Sequence, residues 1–546
     1  RNYRRISIKI SQMTKILGIQ GGSHSCGLAG VEDGKILFSF EEERFNRIRT
    51  YKDFHDDWFR YPLLSKNNLY KVNFDYTQVD YITGFQNSDI IKTMWESMNM
   101  GPFPEHKYRK INHHEAHCTL AYYCSGFKDD ALVISIDASG ETHSNKVYLG
   151  SKGDLTYIDG IDLSYKSLGH YYAMLTEFLG FKRLKDEGKV VGIASHGNFI
   201  KEIYDVFNEC IVIDGIKTDK DNSNIPSGGV YEDFYNIWFK KFGSEFPANL
   251  KNDIAYNGQL VFEEKIIEIF NNLHKKHPNI KKVALAGGVF ANVKLNKKIN
   301  ELEWVDEVFI APPMGDEGLS LGCALATYKS LNPNFMPFKL NNIFLGTEYS
   351  DEEFEFDKNK FNKRPYNKEQ LAYDLKEGKI VGWFQGRYEH GPRALCNRSI
   401  IADPSIPGTY KKVNDRLQRN DFMPFAPVVI DKYANKVFNV TKSTYTAEFM
   451  TMLYDTRKEW QDKIPAVVHP IDKTARIQIV TENNNPKFYE LINKFNDITN
   501  IPVLMNTSFN IHGEPIVCHP EEGFVHLGNN IVDILVINDY MYTKNK

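Results

Sequence analysis

Residues 112–117 read NHHEAH, and residues 131–141 read ALVISIDASGE. On a helix, His113 and His117 project from the same face about one turn apart, a spacing that lets two imidazoles share a metal ion. The apolar run that precedes Asp137 predicts a buried strand. A carboxylate at the end of such a strand is expected to face a cleft rather than the core.

A second acid occupies the same kind of position further along the chain. Asp316, in APPMGDEGLSLG, follows the strand-like run 308–311. Two histidines and two aspartates are suited to iron, manganese or zinc, although a pair of histidines four residues apart is often incidental. A zinc-protease HExxH site is disfavoured, because His114-Glu115 is followed by His117 one position too early.

Composition limits the class of protein. At 546 residues the chain exceeds the usual size of one core, so two domains are expected. The net charge of −3 gives no overall attraction to nucleic acid or to membranes. Seven cysteines without a CxxC pair favour a reducing compartment, and no apolar run is long enough for a membrane span. We therefore expect a cytoplasmic protein with no membrane partner.

The chain divides into three parts. Residues 1–12 are basic and are interpreted as a leader or an expression remnant, because an alternating strand pattern begins just after Met13. Between Leu331 and Arg364, Pro, Asn and acidic residues dominate, which indicates a break. The predicted domains are 13–345 and 360–546.

Strand and helix patterns alternate after residue 13, which predicts an α/β fold. Strands are expected in KILGIQGG (15–22), KILFSFEEE (35–43) and ALVISIDAS, and a helix is expected over 262–273. KKVALAGGVFAN (281–292) predicts a buried strand that turns on two glycines into another helix. The polar segment 216–228 is expected to be an exposed loop.

Glycine-bearing turns follow several of these strands. They are Gly21-Gly22, Asp137–Gly140 and Gly287-Gly288, and glycine there lets backbone N–H groups approach a phosphate. None matches a P-loop or a dinucleotide fingerprint. Several such turns together with two strand-end acids favour an actin-like architecture, in which two related α/β halves close on a nucleotide.

The last third of the chain carries clustered arginines. Grouped guanidiniums with nearby hydroxyl donors suit several phosphate groups, because each can bind an oxyanion through two hydrogen bonds. The alternative is that they form surface ion pairs with interspersed acids, but their apolar, glycine-rich surroundings favour an anion pocket. The residues concerned are Arg387, Arg393, Arg398, Arg416, Arg419, Arg476, Asn506, Thr507 and Ser508.

Many of these motifs occur together, in order, in one family. They are EEERFNRIR, HHEAH, DEGKVVGIASHG, LAGGVFAN, GDEGLSLG, VGWFQGRYEHGPRALCNRSIIADP, FMPFAP, IPAVVHP with KTARIQ, and MNTSFNIHGEPIVCHPEE. From Met13 onward the chain resembles the ATP-dependent O-carbamoyltransferases of the NodU/CmcH type. The resemblance implies an N-terminal actin-like domain of the ASKHA type, similar to the tRNA threonylcarbamoyltransferases, and a C-terminal YrdC-like α/β domain.

The resemblance also implies a reaction. The C-terminal domain would convert carbamoyl phosphate and ATP to carbamoyl-adenylate, and the N-terminal domain would transfer the carbamoyl group to an acceptor hydroxyl. The implied cofactors are ATP with Mg²⁺, carbamoyl phosphate as co-substrate, and a divalent metal, with Fe²⁺ favoured over Mn²⁺ or Zn²⁺.

Site residues follow from the matching motifs. The implied metal ligands are His113, His117, Asp137 and Asp316, and the implied catalytic residues are His24 and Arg49. The implied nucleotide contacts are Ser139, Gly140, Gly169, Glu187, Gly188, Gly287, Gly288 and Asn292. The implied carbamoyl-phosphate and adenylate-forming residues are Arg387, Arg393, Arg398, Arg419, Arg476, Asn506 and Ser508.

Some positions depart from the family pattern or stay open. His24 is either the general base or a residue that caps its turn. Ser25 stands where relatives often have an acid, Met423 replaces the arginine of FRPFAP, and Leu417 stands where a basic residue is common. The phosphate pocket would then use Arg416 and Arg419, or the nucleotide would be held differently.

The acceptor is not determined by the motifs. Abundant Lys, Asn, Ile and Tyr suggest an AT-rich coding genome, which slightly favours a 5-hydroxymethylpyrimidine nucleotide or DNA base over a sugar or secondary-metabolite hydroxyl. A homodimer is compatible with the sequence. Two other classes stay open, namely a tRNA threonylcarbamoyl enzyme and a non-enzymatic actin-like ATPase or assembly protein.

Overall fold

The computed structural model describes residues 13–21, 25–49, 61–141, 143–162, 167–218, 229–244, 247–419 and 424–545. The predicted leader at 1–12, His24 and most of the predicted loop at 216–228 lie outside these residues.

Two five-stranded sheets form the N-terminal half. The strands of the first sheet are β1 (Lys15–Gln20), β2 (Gly27–Glu32), β3 (Lys35–Glu41), β4 (Tyr81–Gly84) and β5 (Tyr108–Lys110). Those of the second are β6 (Ala131–Ile136), β7 (His143–Ser151), β8 (Asp154–Asp162), β9 (Lys282–Ala286) and β10 (Glu307–Ile310).

The two sheets share one topology. The strand orders are β3-β2-β1-β4-β5 and β8-β7-β6-β9-β10. In each order, the first two pairs of neighbouring strands are antiparallel and the last two pairs are parallel. The duplicated α/β arrangement predicted for an actin-like domain is therefore confirmed.

A separate sheet forms the C-terminal half. Its strand order is β11-β20-β19-β12-β13-β18-β14-β17, and β15 pairs with β16 apart from it. The strands are β11 (Phe361–Pro365), β12 (Val381–Phe384), β13 (Arg398–Ala402), β14 (Ala426–Ile430), β15 (Tyr454–Asp455), β16 (Thr474–Ala475), β17 (Gln478–Val480), β18 (Val503–Ser508), β19 (Ile534–Ile537) and β20 (Tyr540–Lys544). The first and last of these strands, β11 and β20, pair with each other, and β11 forms one edge of the sheet.

Helices surround the three sheets. Those of the N-terminal half are α1 (Glu42–Asn46), α2 (Leu63–Asn67), α3 (Ser88–Ser97), α4 (His113–Ser125), α5 (Leu168–Phe178), α6 (Glu187–Ala194), α7 (Lys201–Cys210), α8 (Val230–Phe242), α9 (Lys251–Lys276), α10 (Val293–Asn300) and α11 (Leu319–Leu331). Those of the C-terminal half are α12 (Lys368–Lys376), α13 (Thr409–Arg416), α14 (Asp431–Val437), α15 (Lys458–Gln461), α16 (Pro486–Thr499) and α17 (Pro520–Gly528).

The predicted elements occur where the patterns indicated them. The apolar residues of 262–273 lie on α9, and the segment 281–292 forms β9, a short turn on the two glycines and the start of α10. All seven cysteines are buried thiols. Within the described ranges, every helix is too short or too polar to cross a bilayer.

A central helix pair positions the strand ends. Helix α4 is buried along nearly its whole length and packs against α11, β6 and β9. The two helices approach closely at Gly322, where an added Cβ would lie 2.2 Å from the carbonyl oxygen of Ala116. This contact fixes α4 relative to the turn that carries Asp316, just before α11.

Candidate active site

The NHHEAH segment begins a helix, as predicted. The side chain of Asn112 accepts hydrogen bonds from the backbone N–H groups of His114 and Glu115, at 3.2 and 3.4 Å, and so caps α4. His113 and His117 then face the same side in the first turns, 4% and 1% exposed.

The four predicted metal ligands converge. Their ligand atoms all lie within 4.8 Å of one another. His117 Nε2 is 3.4 Å from Asp316 Oδ1 and 3.6 Å from Asp137 Oδ2, and His113 Nε2 is 3.6 Å from Asp316 Oδ1. Burial opposes protonation of His113, but the neighbouring carboxylates raise its pKa above the ordinary value.

This donor set fits a divalent ion. The Nε2 atoms of both histidines are buried and have no hydrogen-bond partner in the described part of the chain. Two imidazole nitrogens and two carboxylates at this spacing match a borderline metal such as Fe²⁺, Mn²⁺ or Zn²⁺.

Glycine turns meet beside this cluster. The backbone N–H of Gly288 donates to Asp137 Oδ2 at 3.0 Å, and the N–H of Gly140 donates to the carbonyl of His143 at 2.7 Å. Gly169 lies against the turn after β6, where an added Cβ would be 2.3 Å from the backbone nitrogen of Ala138.

The other predicted nucleotide contacts lie on two helix starts and one turn. Glu187 and Gly188 open α6, while Asn292 caps α10 and exchanges hydrogen bonds with Gln259. Gly287 has φ of 99°, a conformation that favours glycine, and Ser139 lies in the turn after Asp137.

One cavity is bordered by both halves of the chain, and we call it the shared cavity. It has a volume of about 350 Å³. Its N-terminal wall includes Arg49, Lys185, Gly188, Lys189, Lys294 and Glu317, and its C-terminal wall includes Arg393, Arg419, His469, Arg476, Asn506 and Ser508.

The shared cavity concentrates positive charge. Burial, together with the nearby charge of Arg49, lowers the pKa of Arg393 to about 10. Burial, with Arg393 and Arg419 as like charges, lowers the pKa of Arg476. The Nε atoms of Arg393 and Arg476 are buried without a hydrogen-bond partner in the described residues. Acids such as Glu43, Asp186 and Glu317 line the same cavity, but these unpartnered guanidinium donors of its C-terminal wall favour binding of an anion.

Arg419 is aimed by hydroxyl and amide groups. Its Nη1 donates to Thr507 Oγ1 and its Nη2 to Ser508 Oγ, both at 3.0 Å. Asn506 donates from Nδ2 to Ala394 O and Gln478 Oε1. The polar residues at the end of β18 therefore position an arginine as well as lining the shared cavity.

Arg387 and Arg398 were predicted in the anion pocket, but the structure places them elsewhere. Arg387 donates to the carbonyls of Leu37, Leu345 and Gly346, at 2.7–2.9 Å. Arg398 is fully buried, donates to the carbonyls of Gln385, Gly386 and Asn397, and lies 3.4 Å from the ring centroid of Phe384. Nε and Nη2 of Arg387 and both Nη atoms of Arg398 donate to backbone carbonyls, and neither arginine lines the shared cavity.

The structure shows which arginine lies at the shared cavity when position 417 is a leucine. Leu417 is buried, and Arg416 pairs with Asp533 at 3.0 Å outside the shared cavity. Of the two substitutes predicted from the sequence, Arg419 is the one that reaches the cavity. Met423 and His24 lie outside the described residues.

Several cavity residues were not predicted from the sequence. Lys185 and Lys294 carry no signal of their own, because a lone lysine is usually solvated, and Lys189 lies in the string DEGKVVGIASHG. His469 lies in the motif string IPAVVHP, and Asp472 lies between that string and KTARIQ. This position is the signal that the sequence offers for them.

Comparison with known families covers both halves. The model of the carbamoyltransferase N-terminus matches residues 103–325, and the model of the carbamoyltransferase C-terminus matches residues 372–544. An uncharacterised protein of Methanocaldococcus jannaschii is 33% identical, covering 97% of this chain and 100% of that protein.

Named relatives agree with these matches. The nodulation protein NolO of Bradyrhizobium diazoefficiens is 30% identical, covering 80% of this chain and 79% of the relative. The 3'-hydroxymethylcephem-O-carbamoyltransferase of Amycolatopsis lactamdurans is 26% identical, covering 95% and 98%. The prediction of an enzyme is confirmed over that of an assembly protein. The chain belongs to the carbamoyltransferase family.

Proposed function

We propose that the two halves of the chain catalyse successive steps. In the C-terminal half, water cleaves carbamoyl phosphate to carbamate and inorganic phosphate, and a carbamate oxygen attacks the α-phosphorus of ATP. Carbamoyl-adenylate forms and pyrophosphate leaves. In the N-terminal half, an acceptor hydroxyl attacks the carbonyl carbon, and AMP leaves.

The observation that carries this proposal is the charge of the shared cavity. Arg393, Arg419 and Arg476 lie in one cavity, and the Nε atoms of Arg393 and Arg476 are buried without a partner among the described residues. Carbamoyl phosphate and ATP together bring several phosphate groups, which suit such a cluster. Arg49 extends the positive charge onto the N-terminal wall.

The transfer step needs stabilisation of the leaving phosphate and removal of a proton. His113, His117, Asp137 and Asp316 would hold a divalent ion, which when bound neutralises charge on a phosphate. The proton of the acceptor hydroxyl would pass to a base, for which His24 is the candidate, because imidazole accepts a proton near neutral pH.

The intermediate would move between the halves without release. A cavity with walls from both halves supports this, since carbamates and adenylates hydrolyse in water. Trapping of free carbamoyl-adenylate from solution at the turnover rate would contradict a closed path.

The acceptor would be a hydroxyl on a small molecule or nucleotide. A 5-hydroxymethylpyrimidine nucleotide or DNA base is the first candidate, and a sugar or secondary-metabolite hydroxyl is the second. Mass spectrometry would detect the added carbamoyl group on hydroxymethylated DNA, on its free nucleotide or on a sugar panel. Absence of the added mass on both DNA and nucleotide would remove the first candidate.

The first experiment measures pyrophosphate release from ATP, with and without carbamoyl phosphate and with no acceptor present. Stimulation by carbamoyl phosphate is expected, because the adenylating step precedes transfer. If the acceptor is required for release, the proposed separation of the two steps is wrong.

A further inference from the structure

His469 has an unusual environment in the wall of the shared cavity. It lies on the segment between β15 and β16 and is 6% exposed. Its Nδ1 accepts hydrogen bonds from the backbone N–H groups of Ile471 at 3.3 Å and Asp472 at 3.4 Å. Its Nε2 is buried and has no partner among the described residues.

These contacts determine where the ring carries hydrogen. Two backbone N–H groups are directed at Nδ1, an arrangement that favours the neutral tautomer with its hydrogen on Nε2. Asp472 Oδ1 lies 3.3 Å from Nδ1, on the edge of the ring that faces away from Nε2. In the tautomer with hydrogen on Nε2, this N–H is a buried donor with no acceptor among the described residues.

Asp472 is itself held by groups from both halves of the chain. Its Oδ1 accepts from Thr474 N at 3.0 Å and Thr474 Oγ1 at 2.7 Å, and its Oδ2 accepts from Ser195 Oγ at 3.1 Å. Ser195 immediately follows α6, the helix that opens with Glu187 and Gly188. The loop that carries His469 is thus attached to the N-terminal half.

The surroundings indicate what Nε2–H would bind. Arg419, Arg476 and Ser508 line the same cavity, so an anionic ligand is favoured there. A buried donor without an acceptor is costly unless a ligand supplies one. A phosphoryl oxygen would satisfy this donor and the guanidiniums together.

We propose that His469 is an anion-binding residue of the shared cavity, whose Nε2–H donates a hydrogen bond to a phosphoryl oxygen of a co-substrate. Asp472, anchored by Ser195, acts as a positioning residue for the loop that carries the ring. The assignment of the phosphoryl group to carbamoyl phosphate or ATP rests on the proposed function, whereas the hydrogen bond itself does not.

The test compares two substitutions by calorimetric titration of the full chain with inorganic phosphate. His469→Asn keeps an acceptor near Nδ1 but has no group at Nε2, and should weaken phosphate binding by about tenfold or more. His469→Gln places an amide N–H near the Nε2 position, and should stay within about threefold of the wild type. Titration with ATP distinguishes the source of the phosphoryl group.

A matched control is available in the same half of the chain. His526 is also buried, 3% exposed, with Nε2 unpartnered among the described residues, but it does not line the shared cavity. His526→Asn should therefore leave phosphate binding unchanged, which separates a local contact from general destabilisation.

The outcomes are distinct. Weaker binding of phosphate or of ATP by His469→Asn, with retention by His469→Gln, supports the proposal. Unchanged binding of both ligands by His469→Asn overturns it, and so does equal weakening in both variants. If the wild type binds phosphate but carbamoyl phosphate does not stimulate pyrophosphate release, the proposed function fails while the titrations still decide the role of His469.

Discussion

The guanidinium of Arg44 donates a hydrogen bond to the carbonyl oxygen of Gly391, with 2.9 Å between Nη2 and O. Arg44 lies on α1 of the N-terminal half, whereas Gly391 lies two residues before Arg393 in the C-terminal half. The same nitrogen donates to the carbonyl of Glu389 at 3.0 Å, and Nε lies 3.3 Å from Glu41 Oε2. A buried residue of one half thus holds the loop that carries an arginine of the shared cavity.

Replacement of Arg44 by Met should destabilise the protein and impair adenylation. The change removes the donor to the carbonyls of Glu389 and Gly391 and one partner of the buried Glu41. The free energy of unfolding should fall by about 3–5 kcal/mol. Urea denaturation and pyrophosphate release measure the two effects. Arg457→Met is the control, because the guanidinium of Arg457 bonds to Asn435 at an exposed position. Equal stability of the two variants would contradict the role of Arg44.

Stability should depend on pH through Glu41. Burial alone would raise the pKa of Glu41, but His390 and Arg44 lower it to about 2 from 4.5. A carboxyl with a lower pKa in the folded state contributes stability that is present above about pH 4.5 and is lost as the pH falls toward 2. We expect a loss on the order of 3 kcal/mol across that window.

Urea midpoints of the wild type and of Glu41→Gln, measured from pH 6 to pH 3, check this expectation. The variant should be less stable at pH 6 and should lose less stability on acidification. Parallel losses in both proteins would assign the acid sensitivity to other carboxyls.

Replacement of His113 by Ala should separate the two half-reactions. Removal of a metal ligand should lower carbamoyl transfer at least about a hundredfold, since even outer-shell partners cost ten- to a hundredfold. Carbamoyl-phosphate-dependent pyrophosphate release should persist, because it occurs in the other half. Metal content per chain should fall in parallel. His277→Ala, at the end of α9, is the control, and equal loss of both activities in His113→Ala would refute separate sites.

Replacement of Arg476 by Ala should strongly slow the adenylating step. Loss of one guanidinium from the cluster should lower pyrophosphate release about a hundredfold. Arg476→Lys should recover only part of the rate, because lysine keeps the charge but not the two-pronged geometry. Arg416→Ala is matched in type, and its pair with Asp533 lies outside the shared cavity. A comparable loss in Arg416→Ala would contradict the assignment.

Replacement of Gly188 by Ala tests whether the nucleotide approaches the start of α6. An added Cβ would meet nothing within 4 Å, so the fold should tolerate it. Alanine should raise helix stability by up to about 1 kcal/mol. If a ligand approaches there, the KM for ATP should rise about tenfold while the melting temperature holds or increases. An unchanged KM would place the nucleotide away from Gly188.

Local sequence patterns predicted the positions of candidate site residues that depend on a single helix or strand. The spacing of His113 and His117 predicted a shared face because α-helical geometry depends only on nearby residues. Asp137 and Asp316 were predicted correctly at strand ends, and the structure brings all four side chains together. The strands around them were recognised because buried strands are apolar throughout.

The arginines of the C-terminal half illustrate the limit of sequence reasoning. Arg387 and Arg398 come from the same glycine-rich stretch as Arg393, and nothing in their local sequence separates them. Only the folded chain shows that the first two donate to backbone carbonyls outside the shared cavity. The lysines and His469 were missed for the same reason, since the walls they form come from distant segments.

By itself, the sequence determined the duplicated α/β fold and the family and predicted the four candidate metal ligands, because periodicity and motif order are local properties of the chain. The tertiary structure decided which guanidiniums reach the shared cavity, how Arg44 and Asp472 join the two halves, and that His469 Nε2 is buried without a partner among the described residues. Hydrogen-bond satisfaction depends on which distant groups come within about 3 Å, and only the complete packing of the chain sets that distance.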